Sequence, residues 1–393
     1  MKGRRHTRLI MLIMIVFSAA VIVVYSAREK QTVSRADGIY SDTLYRRAAG
    51  ITAEAAVAHE DTDNIFTDQA VINKEENTSD TAITDTQSNN DEAVDTSAKE
   101  KSVDNDKDIE TVMVFDHRLG TVSEMELDEY VACVVTAEMP GDSPFEALCA
   151  QAVAARTLAV NYILADKKDG HMGADICTDS GHCQSFVKRD EYTERYGEKG
   201  SAVFDTAMNA AKATTGLILL YDDQPIVAVF HASSGGATAS GKEVWGGDLA
   251  YLKSVESGEI YDETLRDKVI SEAVFTREEL IAKLENAVPG ISEYKESPFH
   301  LWIGEKERSE SGRVASVTIG GKKFSGSEVR KLLGLRSADF EIRFDEDSVT
   351  FITEGYGHGV GMSQLGAIAM ARKGESFYSI LAAYYPGTVI GIL

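Results

Sequence analysis

The sequence predicts an α+β head held outside the cell by a single-pass membrane anchor and an acidic tether. Three observations predict this. An uncharged run, "LIMLIMIVFSAAVIVVYSA", covers residues 9–27 behind a basic N-terminus. A long polar, acidic stretch comes after it. From Ile109 onward, strand-like alternation and helix-like periodicity interleave in a chain that is 43% hydrophobic, enough for a packed core.

Residues 1–8, "MKGRRHTR", carry the positive charge that places a membrane segment's N-terminus in the cytoplasm. Residues 9–27 match the ~20 residues a helix needs to cross a bilayer. They exceed the roughly 7–15 of a signal-peptide h-region, which favours a retained anchor over a cleaved leader. Either way, the rest of the chain is exported. Residues 28–108 form the tether. Over 51–108 there are 16 acidic and 4 basic residues, which leaves −12 of the overall −23, and Phe66 is the only aromatic. Such a segment repels itself and stays solvated, spanning on the order of 40–50 Å. The acidity that remains on the head argues against a nucleic-acid partner.

The head, 109–393, opens with "IETVMVFDHRLGTVSEMEL", which alternates around Asp116–Gly120 as a hairpin does. "LDEYVACVVTAEM" then places Leu127, Tyr130, Val131, Val134 and Glu138 on one helical face, and Pro140 stops the helix. "SPFEALCAQAVAARTLAVNYIL" is a second helix, with Ser143 as N-cap, Pro144 in the first turn and Glu146 completing a capping box. A loop holding His171, Cys177, His182 and Cys183 comes next. After it stand a helix near 201–214 and the strand pair in "GLILLYDDQPIVAVFHAS". Residues 256–342 mix both patterns and carry no catalytic constellation. "GYGHGVGMSQLGAIAMARKG" turns from alternating glycines into a helix, and "SFYSILAAYYPGT" is the last one.

Several side chains point to chemistry, each with a structural alternative. Glu138, on an apolar face in a helix's last turn, is a general acid/base or one half of an interhelix ion pair. Arg156, among small residues on the second helix, is its expected partner. His171, Cys177, His182 and Cys183 suit a tetrahedral zinc site or a Cys177–Cys183 disulfide, and the residues leave that choice open. Cys133 and Cys149 sit in helices without a disulfide framework. His358 in the glycine run, and Ser233 and Ser234 in "HASSGGATASG", are ligand contacts or packing residues. No Gly-x-Ser-x-Gly elbow supports a serine nucleophile.

The motifs "AEMPGDSPFEALCAQAVAARTLA", "GHCQSF", "FHASSGGAT", "YLKSV" and "GYGHGVGMSQLGAIAMARKG", in that order, resemble the stage II sporulation protein D family. That family comprises peptidoglycan lytic transglycosylases of endospore-forming bacteria. The likeness runs over about 109–393. It implies Glu138 as catalytic acid; Gln151, Arg156, Tyr251 and Lys253 as substrate contacts; and, by likeness to clostridial members, zinc on His171, Cys177, His182 and Cys183. It also implies action on peptide-free glycan strands in the mother-cell engulfing membrane, with stage II sporulation proteins P and M as partners. Departures stand at Cys149, Leu158 and Phe186, where many relatives carry Lys, Tyr and Tyr. His231 and His358 belong to the motifs without an assigned step.

The implied reaction cleaves the MurNAc–GlcNAc bond without water. Glu138, kept protonated by its surroundings, donates to the glycosidic oxygen, then takes the proton of the C6 hydroxyl as a 1,6-anhydro ring closes. Hydrolytic glycosidases need a second carboxylate, and none is obvious here. Arg156 close by would oppose protonation of Glu138, so a substrate contact suits it better than a tight pair. A zinc with four protein ligands orders its loop and does no chemistry. The rival readings are a non-catalytic glycan-binding or amidase-enhancer module and a zinc hydrolase with Glu138 as base.

Overall fold

The computed structural model describes residues 101–102, 109–165 and 170–393. The basic N-terminus, the anchor and the tether up to residue 100 lie outside them. Lys101–Ser102 (β1) is paired in parallel with Gly391–Ile392, so the head's sheet begins eight residues before Ile109.

The hairpin is present. Thr111–Asp116 (β2) and Thr121–Glu126 (β3) pair antiparallel from Thr111↔Glu126 to Asp116↔Thr121. Asp116 Oδ1 accepts from the amides of Arg118 and Leu119, at 3.1 and 3.2 Å, which fixes the turn. Leu127–Glu138 (α1) comes next and ends ahead of Pro140. Its apolar face is wider than periodicity suggests, because every residue from Tyr130 to Ala137 is buried.

Phe145–Leu164 (α2) is the central helix, with 15 of its 20 residues buried. Among the described residues it alone is long and apolar enough to cross a membrane, but its burial makes it a core helix. The predicted capping box is absent. Ser143 Oγ donates instead to Pro140 O at 2.7 Å, and Glu146 Oε2 accepts from Phe377 N at 2.8 Å, tying α2 to the last helix. Ile176–Cys177 (β4) pairs in parallel with β2. Arg189–Ala213 (α3) starts earlier than expected and breaks at Gly197, whose φ is 63°.

Leu217–Tyr221 (β5) and Gln224–Pro225 (β6) form a hairpin through Asp222 and Asp223, both at positive φ. That turn matches the right-handed twist of the paired strands. The expected long second strand stops there. Phe230–His231 (β7) belongs to another, two-stranded sheet.

Residues 270–354 form an insertion with a core of their own. Ile270–Thr276 (β8), Ile303–Arg308 (β9), Val314–Ile319 (β10), Lys322–Phe324 (β11), Phe340–Phe344 (β12) and Ser348–Glu354 (β13) make two three-stranded sheets, β12-β13-β8 and β11-β10-β9. Arg277–Leu284 (α4) and Gly326–Leu333 (α5), each with a complete capping box, pack on them. The insertion docks through Arg313, which is buried and donates to the carbonyls of Ala237 and Ser234, both at 2.9 Å.

The chain then returns to the main core. Met362–Ser363 (β14) pairs in parallel with β7, and Gln364–Arg372 (α6) and Phe377–Tyr384 (α7) pack on α2. Gly361, with φ 73°, has no room for a Cβ, which would overlap Val229 O. This lets β14 lie against the strand carrying His231. Val389–Ile392 (β15) closes the β1-β15-β5-β6 sheet.

Candidate functional site

Glu138 sits at the C-terminal end of α1 and is only partly buried. Its two oxygens are held from distant parts of the chain. Oε1 accepts from the Ser185 backbone N–H, and Oε2 accepts from Gln364 Nε2, both at 2.9 Å. Gln364 is the first residue of α6, and Ser185 stands two residues past the His/Cys loop. One carboxylate thus stands where α1, that loop and α6 meet.

The loop folds His171, Cys177, His182 and Cys183 together, with their donor atoms all within 4.8 Å of one another. His171 Nε2 lies 3.1 Å from His182 Nδ1, and Cys177 Sγ lies 3.2 Å from that same nitrogen. Cys183 Sγ is 3.4 Å from His171 Nε2 and 3.5 Å from Cys177 Sγ. That last distance far exceeds the ~2.05 Å of a disulfide, and none of the four cysteines forms one. Hydrogen bonding between Cys177 and Cys183, with that to His171 and His182, outweighs burial and holds the Cys177 thiol well below its ordinary value. The group could hold a metal ion. Burial pushes Cys133 and Cys149 the other way, each up to about 12, so they remain packed thiols. From the cluster, Gln184 Nε2 donates to Tyr130 Oη at 3.1 Å, and the next residue, Ser185, reaches Glu138.

Arg156 does not meet Glu138. It is fully buried and pairs with Asp128 at 2.7 Å, while Nη1 and Nη2 also donate to Thr214 Oγ1 and Ala211 O, at 3.2 and 2.8 Å. The stripe of small residues beside it admits α3 and the chain after it. Arg156 has no exposed surface, and its contacts here tie α1, α2 and the end of α3 together. Removing Arg156 leaves Asp128 partly buried without its cation, still bonded to the Thr215 hydroxyl. Arg156→Ala is therefore expected to cost ~3 kcal/mol in denaturant unfolding. A change under ~1 kcal/mol would contradict that role.

The other expected contacts divide. Gln151 is fully buried in α2. Tyr251 is buried too, and its hydroxyl accepts from Val227 N at 3.2 Å. Lys253 is exposed. Ser233 and Ser234 are buried, and both hydroxyls donate to Glu259. His231 is buried with Nδ1 3.1 Å from Val360 O, and burial together with nearby Arg313 pushes its pKa down to about 3, so the ring stays neutral. His358 Nδ1 accepts from Val360 N at 3.1 Å.

Two residues at this centre carried no sequence signal: Gln364, which reaches Glu138 across 226 positions, and Glu259, buried among serines. The Ser-Gln pair before an apolar helix could have marked a cap, but nothing local points it at Glu138.

A family model described as stage II sporulation protein matches residues 115–221. Stage II sporulation protein D of Bacillus amyloliquefaciens is 35% identical over 271 residues, which is 69% of this chain and 75% of that protein. The stage II sporulation protein D of Bacillus subtilis (strain 168) gives the same identity over the same length, covering 76% of that relative. A Bacillus subtilis protein named amidase enhancer is 26% identical over 308 residues, 65% of this chain and 39% of that protein.

Proposed function

This chain belongs to the stage II sporulation protein D family, and from that membership we propose that it is a peptidoglycan lytic transglycosylase with Glu138 as its acid and base. Its role lies in sporulation and cell-wall remodelling. The observation that carries the finer reading is the single carboxylate of Glu138, partly exposed and fixed at both oxygens by N–H donors from separate segments. A carboxylate oxygen accepts at two lone pairs, so each keeps one for the reaction.

Glu138 gives its proton to the glycosidic oxygen as the C1–O bond of the muramoyl unit breaks. The C6 hydroxyl oxygen of that unit bonds to C1, and Glu138 takes back the hydroxyl proton. No water is consumed, and one carboxylate serves both steps because the nucleophile belongs to the sugar. Of the other contacts proposed for the glycan, Lys253 is exposed and would meet it directly, whereas the buried Gln151, Arg156 and Tyr251 would act from beneath the surface.

The metal proposed for His171, Cys177, His182 and Cys183 is zinc. Zinc–ligand bond lengths give tetrahedral edges of about 3.3–3.8 Å. The distances of 3.1, 3.2, 3.4 and 3.5 Å between donors lie close to that range. Four protein donors complete the shell, so the ion would supply cross-linking and leave the chemistry to Glu138. This weighs against a zinc hydrolase, which needs an open position.

The setting also belongs to this reading: an anchor at 9–27, a tether from 28, and an extracytoplasmic head whose sheet already includes β1 at Lys101–Ser102. So do partners of the kind of stage II sporulation proteins P and M. Likeness to an amidase enhancer favours one second reading, a glycan-binding module without catalysis. Mass spectrometry of peptide-free glycan incubated with the full chain separates the two. Fragments ending in 1,6-anhydroMurNAc, lighter by one water than hydrolytic products, are expected. Glycan bound but uncut by folded protein would support the enhancer.

A further inference from the structure

Glu259 is fully buried, and among the described residues no Lys, Arg or His side chain hydrogen-bonds it. Its partners are hydroxyls and one amide. Oε1 accepts from Ser234 Oγ at 2.6 Å, Ser234 N at 2.8 Å, Ser363 Oγ at 2.8 Å and Ser233 Oγ at 3.4 Å. Oε2 accepts from Ser257 Oγ, which in turn lies 2.6 Å from Tyr384 Oη. Burial pushes this carboxyl up, but the bonds from Ser234 and Ser257 outweigh it and leave Glu259 below its ordinary value. A buried anion costs several kcal/mol unless its surroundings are built for it. Here they are built at the start of α6, whose N-terminal end favours negative charge.

Ser363 links this anion to the site. Its one hydroxyl proton goes to Glu259, and its lone pair accepts the Gly366 amide at 3.1 Å, capping α6. The bond to Glu259 therefore sets the rotamer of the cap. The next residue is Gln364, whose amide donates to Glu138 Oε2 at 2.9 Å. The packing leaves no slack: a Cβ at Gly366 would overlap Tyr384 Oη and Ser257 Oγ.

We propose that Glu259 is a positioning residue for Glu138, acting through the Ser363 cap to aim Gln364. The proposal rests on Glu138 being the catalytic group. Glu259→Gln keeps the shape but puts an amide donor among hydroxyl donors, so the cap loosens and Gln364 swings.

The test uses the full chain in detergent, with Glu259→Gln, Gln364→Ala and the double variant assayed for anhydro-muramoyl product. Misplacement of about 1 Å costs on the order of 10²-fold, so each single variant should lose about that much kcat with KM nearly constant. The double variant should be no worse than either alone, because both break one chain of contacts. Effects that multiply would overturn the proposal, since a merely structural loss adds independently to loss of Gln364. If Glu259→Gln does not fold, Ser363→Ala in the same cycle with Gln364→Ala decides by the same criterion. A crystal structure of the Glu259 or Ser363 variant gives a readout independent of activity. Gln364 is expected out of hydrogen-bonding reach of Glu138, and an intact contact would overturn the link. Should the wild type cut no glycan, the proposed reaction fails, while the crystal structure still decides whether Glu259 aims Gln364.

Discussion

Glu138→Gln is expected to abolish anhydro-muramoyl product. Losing a general acid/base costs on the order of 10²–10⁴-fold, and the upper end applies because the same group would serve both proton transfers. The substitution is nearly isosteric at a partly exposed position, so the thermal midpoint should move little. It has a second consequence. Ser185 N–H and Gln364 Nε2 both donate to Glu138, but an amide offers only one acceptor oxygen. One donor must turn away, so the loss reflects geometry as well as acidity. Glu138→Asp separates the two: it keeps the acid but shortens its reach, and an intermediate loss is expected. If Glu138→Gln kept more than about a tenth of wild-type turnover, the position could not be the acid, and the enhancer reading would stand.

Stripping metal from the His/Cys cluster is expected to lower thermal stability and activity together. A structural zinc ties its binding free energy to folding, and apparent values of ~10–16 kcal/mol in small zinc-binding peptides show how much can be at stake. Here the coupling to activity is short. Cys183 stands two residues before Ser185, whose amide holds Glu138 Oε1, with Gln184 packed against Tyr130 between them. Elemental analysis of purified full chain should find about one zinc per chain, falling in Cys177→Ser and Cys183→Ser. Chelation should drop the unfolding midpoint by several degrees with loss of cleavage, and zinc should restore both. Activity lost with the midpoint unmoved would argue instead for an ion in the chemistry. Activity fully retained by metal-free protein would remove the ion from the site altogether.

Much of the head's local structure was legible. The β2–β3 hairpin, α1 ending before Pro140, the core of α2 and the last two helices come from alternation, periodicity and punctuation, all of which are local. The four His/Cys donors span only thirteen residues, but the residues left zinc and a disulfide open, and only the resemblance to the family pointed to all four together. What failed was direction. Nearly every side of α1 and α2 is buried, so periodicity could not say which neighbour Arg156 would find, and it found Asp128 rather than Glu138. Ser143 and Glu146 had the spacing of a capping box, but better partners at Pro140 and Phe377 took both side chains. Glu259 looked like one acidic residue among many in an acidic chain. Its role depends on serines up to 104 positions away, which only the fold assembles.

The insertion leaves and rejoins the main core at one place, because Ile270 and Glu354 face each other as the terminal pair of the β8–β13 ladder. Neighbouring ends let a module lengthen, shrink or be exchanged during evolution without prising the host apart. This one is not freely detachable, however. Arg313 has become mortar for the Ser234 and Ala237 carbonyls, so a lineage that shed the module would have to refill that joint. The mortar has set on the same serine that grips Glu259, which makes the graft part of the masonry beneath Glu138.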